Sequence, residues 1–424
     1  MTPSTTRLAP LVLLPLALGC GGGSRAADVV QFWAMGREGE VVEQMVPAFE
    51  RRHPGVRVRV QQIPWSAAHE KLLTAYVGGA MPDLFQAGNT WLPELVALGA
   101  VERLDERLAR SAAVARDDYF PGILDTNVID GATWGVPWYV DTRLLFYRTD
   151  LLAEAGYAEP PRTWATWSEA MARLRERGGA ERYAILLPFR EWQAPVILAL
   201  QRGADLLRDD DQYADFRAPA FREAFAFYLD LFRRGLAPRS GETAVANAYQ
   251  DFARGYFSFY ITGPWNLGEF ARRLPREMAE RWATAPLPAP GDDYPGVSLA
   301  GGASLALFRG SRRKDAAWQL LEYLSEPAQQ AEFYRLSGDL PSRRTAWARE
   351  GLADDRRAQA FWVQLQHVRS TPKIPEWERI AAEITQYAEA AIREEMTVEE
   401  ALATLDREVD AMLEKRRWLR GRSG

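Results

Sequence analysis

Cysteine is nearly absent. The 424 residues hold one, Cys20, so no disulfide can close within the chain. Histidine is scarce too: His53, His69 and His367 stand far apart, with no His-Glu-x-x-His and no paired-cysteine spacing, and no metal site is expected. No basic run crosses the body of the chain and the net charge is −5, which argues against a nucleic-acid partner. Phosphate-cradling Gly-x-x-x-x-Gly-Lys-Ser/Thr, dinucleotide-type Gly-x-Gly-x-x-Gly and the Gly-x-Ser-x-Gly elbow are all missing, and no cofactor is expected. No apolar run reaches the ~20 residues of a membrane-spanning helix. Paired carboxylates, the device of glycoside hydrolases, are the one catalytic arrangement these absences leave open.

What is present is an ordinary globular composition, 47% hydrophobic and 26% charged, in a chain long enough to divide into two lobes. The basic tail Lys415, Arg416, Arg417, Arg420, Arg422 reads as a solvated helix end that complements the helix dipole. Residues 8–19 form an apolar segment too short and too proline-rich to span a bilayer. Arg7 gives it a thin positive flank, and Ala17-Leu-Gly-Cys20 resembles a lipobox, with Ala17 where leucine is commoner. The expectation is a signal peptide over 1–19, a lipid on Cys20, and a flexible tether over 20–27 rich in glycine.

The stretch that organises the remainder is Trp134-Gly-Val-Pro-Trp-Tyr-Val-Asp-Thr-Arg-Leu-Leu-Phe-Tyr147, two strand-like apolar runs around a polar break. A carboxylate beside Trp138 and Tyr139 suits a neutral polyol: flat rings cover C–H faces, and an acceptor takes hydroxyl hydrogens. The same pattern fits a buried strand pair with a surface turn. Gly135 to Arg143, with Tyr147-Arg-Thr-Asp-Leu-Leu152, resembles the first interlobe crossing of the extracellular solute-binding proteins of ABC importers, the sugar-binding class that includes maltose-binding protein.

Along the chain, Val29–Met35 reads as a strand and Glu38 onward as a helix with Val41, Val42, Met45, Val46 and Phe49 on one face. Val56–Val60 alternates as a second strand, which makes a β-α-β unit and a parallel sheet. Gly88-Asn-Thr-Trp91 follows the strand Leu84-Phe85, at the carboxyl end where open α/β sheets place ligands. Thr163 or Thr166 caps a helix, with Thr166 and Glu169 as a capping box. Pro188-Phe-Arg-Glu-Trp192 is another polar-aromatic cluster after a strand, and Asp209-Asp-Asp211 reads as a solvated turn. Gly263-Pro-Trp-Asn266 ends a strand; by resemblance Trp265 stacks on a sugar ring. Gly301 and Gly302 inside a strand indicate close approach of ligand or backbone. Leu336-Ser-Gly-Asp-Leu-Pro-Ser-Arg343 resembles a turn of the family. A Thr397–Glu400 capping box opens the last long amphipathic helix.

The resemblance implies an α/β, two-lobed, type II periplasmic-binding-protein fold with three hinge crossings, near 140–144, 285–297 and 308–312. The N-lobe would be 28–140 and 297–310, the C-lobe 145–290 and 311–424. It implies the substrate-binding component of an ABC transporter, a monomer that captures a di- or oligosaccharide and meets membrane permease subunits. Asp141 and Trp265 lead the candidate ligand residues, with Tyr139, Asn89, Trp91, Trp192, Glu191, Gly301, Gly302, Arg343, Glu38 and Trp377. The rival readings are an exported glycoside hydrolase, and a binding protein for a polyamine or glycerol phosphate. Acidic Asp141 and Glu191 disfavour an anion.

Overall fold

The computed structural model describes residues 27–188, 190–239, 247–349 and 351–421. The expected signal segment, Cys20 and nearly all of the tether lie outside the described residues. The chain opens as anticipated, with β1 (Asp28–Met35), α1 (Gly36–Arg52) and β2 (Val56–Ile63), β1 and β2 pairing in parallel over their full length. Val41, Val42, Met45 and Phe49 of α1 are buried, the face that the i, i+3/i+4 spacing specifies. Next come α2 (Trp65–Val77), β3 (Leu84–Gly88), a 3₁₀ turn (Asn89–Trp91) and, after several short elements, β4 (Val136–Val140).

The chain then crosses to a second sheet through β5 (Leu144–Arg148). Beyond it lie α3 (Trp164–Gly178), β6 (Ile185–Leu186), α4 (Pro219–Arg233), β7 (Phe259–Thr262), α5 (Trp265–Arg273) and β8 (Trp282–Ala285). It returns to the first sheet with β9 (Gly302–Leu307), so the second crossing falls between β8 and β9. The first sheet has the order β2-β1-β3-β9-β4 and the second β8-β5-β7-β6.

The helices after β9 correct the expected lobe division. Both α6 (Lys314–Ser325) and α7 (Pro327–Ser337) pack into the first lobe. Trp318, Leu320, Leu321 and Phe333 share a core with Val30, Phe32, Val41 and Trp138. Phe49 meets Tyr323 at 5.4 Å and Trp138 meets Phe333 at 4.4 Å between ring centroids. There is therefore no crossing at 308–312. The third connection comes after α7, where Val140 N–H donates to Leu340 O at 3.0 Å and Trp347 joins a core shared with Phe146 and Phe361 of the second lobe.

Thereafter α8 (Arg356–Gln364), α9 (Trp377–Ile392), α10 (Val398–Met412) and α11 (Glu414–Arg420) complete the second lobe. The Thr397–Glu400 capping box forms, whereas α3 is capped by Thr163 with Thr166, not Glu169, as its reciprocal partner. The basic tail is not merely solvated. Arg417 donates to Gln212 O at 2.8 Å and Arg420 to Asp210 O at 2.7 Å. These bonds fasten a hairpin loop in which Asp209, Asp210 and Asp211 all have φ between +55° and +59°. Three consecutive left-handed non-glycine residues are unfavourable on their own, and the arginines occupy carbonyls the bend would otherwise leave to water.

Candidate functional site

The two sheets face a cavity of about 560 Å³. The first lobe contributes the carboxyl ends of its parallel strands: Glu38 in the first turn of α1, Trp65 at the start of α2, and Asn89, Thr90 and Trp91 after β3. The crossings supply Tyr139, Asp141, Arg143, Leu299 to Gly302, and Asp339. From the second lobe come Trp192, Tyr249 and Glu378, together with Trp265, Glu269 and Arg273 of α5. These last three stand at i, i+4 and i+8, one face of the helix.

A hydrogen-bonded chain fixes the first-lobe wall. Met35 N–H donates to Gln86 Oε1 at 2.7 Å, and Gln86 Nε2 donates to Tyr139 Oη at 2.8 Å. Tyr139 Oη then donates to Glu38 Oε1 at 2.7 Å, and Trp65 Nε1 donates to the same oxygen at 3.1 Å. Burial pushes the Glu38 carboxyl above its usual range, and Tyr139 is raised as well, by burial and by Glu38 beside it. Asp339 is buried nearby and pushed well up, by burial and by the charge of Glu38. Trp138, next to Tyr139 in β4, turns away into the first-lobe core.

Asp141 sits on the first crossing. Its Oδ1 is enclosed and has no hydrogen-bond partner. Its pKa rises to about 6: burial raises it most, Arg143 opposes, and Glu191 and Glu38 push further up. Arg143 Nε lies 3.5 Å from Asp141 Oδ1, and Nη1 lies 3.9 Å from Glu191 Oε2. The same guanidinium covers the Trp265 ring, 4.5 Å from its centroid. An enclosed acceptor without a hydrogen bond, beside a cation held over an indole, is an unsatisfied group at the cavity wall. The Gly263-Pro turn has a steric reason. A Cβ on Gly263 would stand 1.7 Å from Trp265 Cζ3, so only glycine lets the ring lie where it does.

The remaining candidates divide. Trp91 stacks on His69 at 5.1 Å and meets Trp65 edge-on at 5.7 Å, so three rings from two helical segments form one tier. Asn89 lines the cavity, but its amide donates to Ala300 O at 2.7 Å and ties β3 to the hinge. Trp192 lines the cavity and rests edge-on against Trp377 at 5.3 Å. Trp377 itself is wholly buried in the second-lobe core and does not reach the cavity; it buttresses Trp192. Glu191 is not among the lining residues and lies 3.9 Å from Arg143 Nη1. Gly301 and Gly302 are required by backbone: a Cβ would meet Asp141 O at 2.2 Å and Tyr139 O at 2.5 Å. Arg343 is placed outside the cavity. It is 5% exposed, pairs with Asp118 at 2.6 Å and donates to Ala113 O and Ser325 O. Among the lining groups that were not ligand candidates from the sequence are Trp65, Arg143, Tyr249, Glu269, Arg273, Asp339 and Glu378. Only the four-residue spacing of Trp265, Glu269 and Arg273 carried a local signal for any of them.

Residues 20–331 match the model of the family described as bacterial extracellular solute-binding protein. The structure superposes with a TM-score of 0.88 on the sugar-binding protein MalE of Xanthomonas citri, 48% identical, over 93% of this chain and 100% of that one. A putative binding protein of Brucella abortus is 28% identical over 91% of this chain and 92% of its own length. The diacetylchitobiose-binding protein DasA of Streptomyces coelicolor is 26% identical over 76% of this chain and 74% of its own. With a two-lobed α/β frame, three crossings and a cavity between the sheets, the chain belongs to the bacterial extracellular solute-binding protein family.

Proposed function

We propose that this protein is the sugar-capturing component of an ABC importer, tethered to a membrane through Cys20 and working as a monomer with permease subunits. The observation that carries the sugar reading is the pairing, across one cavity, of the unpartnered Asp141 Oδ1 with the indoles of Trp65, Trp192 and Trp265. Hydroxyl donors and the C–H faces of a sugar ring satisfy both. A cavity of about 560 Å³ lies within the range of small-molecule sites. Five carboxylates against three guanidinium groups line it, which disfavours a phosphate ligand. The similar proteins named above are binding proteins, and we assign no catalytic step to the carboxylates.

Capture proceeds by closure. The ligand touches α5 on one lobe and the Glu38 wall on the other, so its binding energy is complete only when the lobes meet, and binding shifts the population toward the closed form. The test is a thermal-shift screen of residues 28–424 against mono-, di- and oligosaccharides, with spermidine and glycerol phosphate as controls. A ligand at 100-fold its dissociation constant adds about 2.7 kcal/mol of stability. A shift with one sugar, recovered unchanged, supports the proposal; new reducing ends would make the protein a hydrolase, and a shift only with a control would replace the ligand class. For the anchor, globomycin should block processing of the precursor in expressing cells, and unchanged processing would contradict lipid attachment.

A further inference from the structure

The charges that line the cavity are not evenly matched. Its three arginines are all engaged by the protein itself. Arg143 lies beside Asp141 and over the Trp265 ring, Arg273 pairs with Glu269, and the exposed Arg37 donates to Leu336 O at 3.0 Å. Two lining carboxylates have no such partner. Glu38 and Asp339 are 8% and 6% exposed, and neither forms an ion pair among the described residues. They occupy one corner. Arg37, the residue before Glu38, bonds Leu336, three residues before Asp339, so the start of α1 touches the turn that follows α7. Tyr139 ties the same two segments: its hydroxyl donates to Glu38 Oε1 at 2.7 Å, and its backbone is bridged to Pro341.

Glu38 is served on one side only, because Tyr139 and Trp65 both donate to Oε1. Asp339 has less. The neighbouring Ser337 hydroxyl gives its hydrogen to Phe333 O at 2.8 Å and accepts from the Asp339 N–H at 3.0 Å. That hydrogen is not free for the Asp339 carboxylate, which faces the cavity without a partner. Two buried carboxylates in one corner repel each other when both are charged, and a cation between them removes the penalty. A metal ion would need further ligands, and among the described residues no three His, Cys, Asp or Glu side chains are grouped to hold one. A sugar hydroxyl brings a hydrogen but no charge. An ammonium group brings both, with three N–H donors to share between two carboxylates.

We infer that the Glu38–Asp339 corner is a subsite for a basic nitrogen, so that the captured ligand is an amino sugar in preference to its hydroxyl parent. The inference rests on the reading of the cavity as a sugar site and adds the ligand's charge to it. The ring lies against Asp141 and the indoles, and the ammonium sits between Glu38 and Asp339. An N-acetylated sugar, with a bulkier and uncharged nitrogen, does not fill this role.

The test is calorimetry at neutral pH on the full chain carrying C20S, with matched sets of sugars. Glucose, glucosamine and N-acetylglucosamine form one set; cellobiose, chitobiose and diacetylchitobiose form another; glucose with 6-amino-6-deoxyglucose moves the nitrogen to a second position. In at least one set the amino sugar should bind about tenfold tighter than its hydroxyl parent, the scale of one hydrogen bond to a charged group. The N-acetyl form should show no such gain. D339N and E38Q keep the shape and remove the charge, and each should bring the two affinities together; D141N should weaken both sugars and keep the preference. Thermal melting checks that each variant is folded, and either of the first two suffices. A hydroxyl sugar bound as tightly as its amino counterpart in every set would overturn the subsite and leave the sugar reading standing. A preference for the amine that survives in both D339N and E38Q would also overturn it. If no sugar of any set binds, the sugar reading falls and the inference with it.

Discussion

Replacing Asp141 by asparagine should stabilise the ligand-free protein and weaken its hold on sugar. The folded protein keeps the Asp141 carboxyl at about 6 against an ordinary 3.8, because burial outweighs the pull of Arg143. A carboxyl raised in this way binds its proton more tightly folded than unfolded. The penalty is therefore fully present above about pH 6 and fades as the pH falls toward the unfolded value. The gap corresponds to about 3 kcal/mol. Roughly a third of the side chain is open to the cavity, 36%, and water there screens the charge, so about 1–2 kcal/mol is the expected effect. Chemical unfolding of ligand-free wild type should show stability rising as the pH is lowered from about 7 to about 5, with a smaller rise in Asp141→Asn. At neutral pH the variant should melt a few degrees higher, at about 2–4 °C per kcal/mol for lobes of this size. In the same variant, calorimetry with the sugar found by screening should show affinity lower by about 1.5–3 kcal/mol, the worth of a charged hydrogen bond. A destabilised variant, or one whose pH dependence matches wild type, would refute the burial argument. Unchanged affinity would refute the assignment of Asp141 as the acceptor.

Three further substitutions probe other parts of the account. Trp265→Ala should lose about 1–3 kcal/mol of sugar affinity through stacking and apolar contact, measured by the same calorimetry, with little change in the melting temperature of the free protein. Gly301→Ala forces a Cβ against Asp141 O and should destabilise the protein by about 1–3 kcal/mol as seen by thermal unfolding, while also displacing the acceptor. Arg343→Ala leaves Asp118 with Thr345 but without its cation, strips Ala113 O and Ser325 O of their donor, and should cost about 3–5 kcal/mol of stability, with the folded fraction binding sugar as before.

The features legible in the sequence are those with local causes. β-branched and aromatic runs around Asp141 marked a strand, a polar break and a strand, and strands stand on both sides of the break, at Val136–Val140 and Leu144–Arg148. Trp265 was marked by the resemblance of Gly263-Pro-Trp265 to the family's turn, and the structure supplies the local reason for the glycine, whose Cβ would stand 1.7 Å from the ring. Illegible features depend on pairings between distant segments. The amphipathic faces of α6 and α7 say that they are buried, not against which sheet, so residues 314–337 were assigned to the wrong side of the hinge. Arg343 and Asp118 are 225 residues apart in sequence, and an arginine in a hinge turn looks the same whether it meets a ligand or an internal carboxylate. Glu38 and Asp339 become one acidic wall only because the third crossing runs beside the first.

The central claim, that a sugar sits between the lobes against Asp141 and Trp265, is met most directly by a crystal structure of the protein with the sugar that gives the largest thermal shift. The account predicts sugar density in the cavity, with a hydroxyl within hydrogen-bond distance of Asp141 Oδ1 and a ring face against an indole of Trp65, Trp192 or Trp265. Sugar bound elsewhere, with the cavity closed and empty of it, would contradict the account.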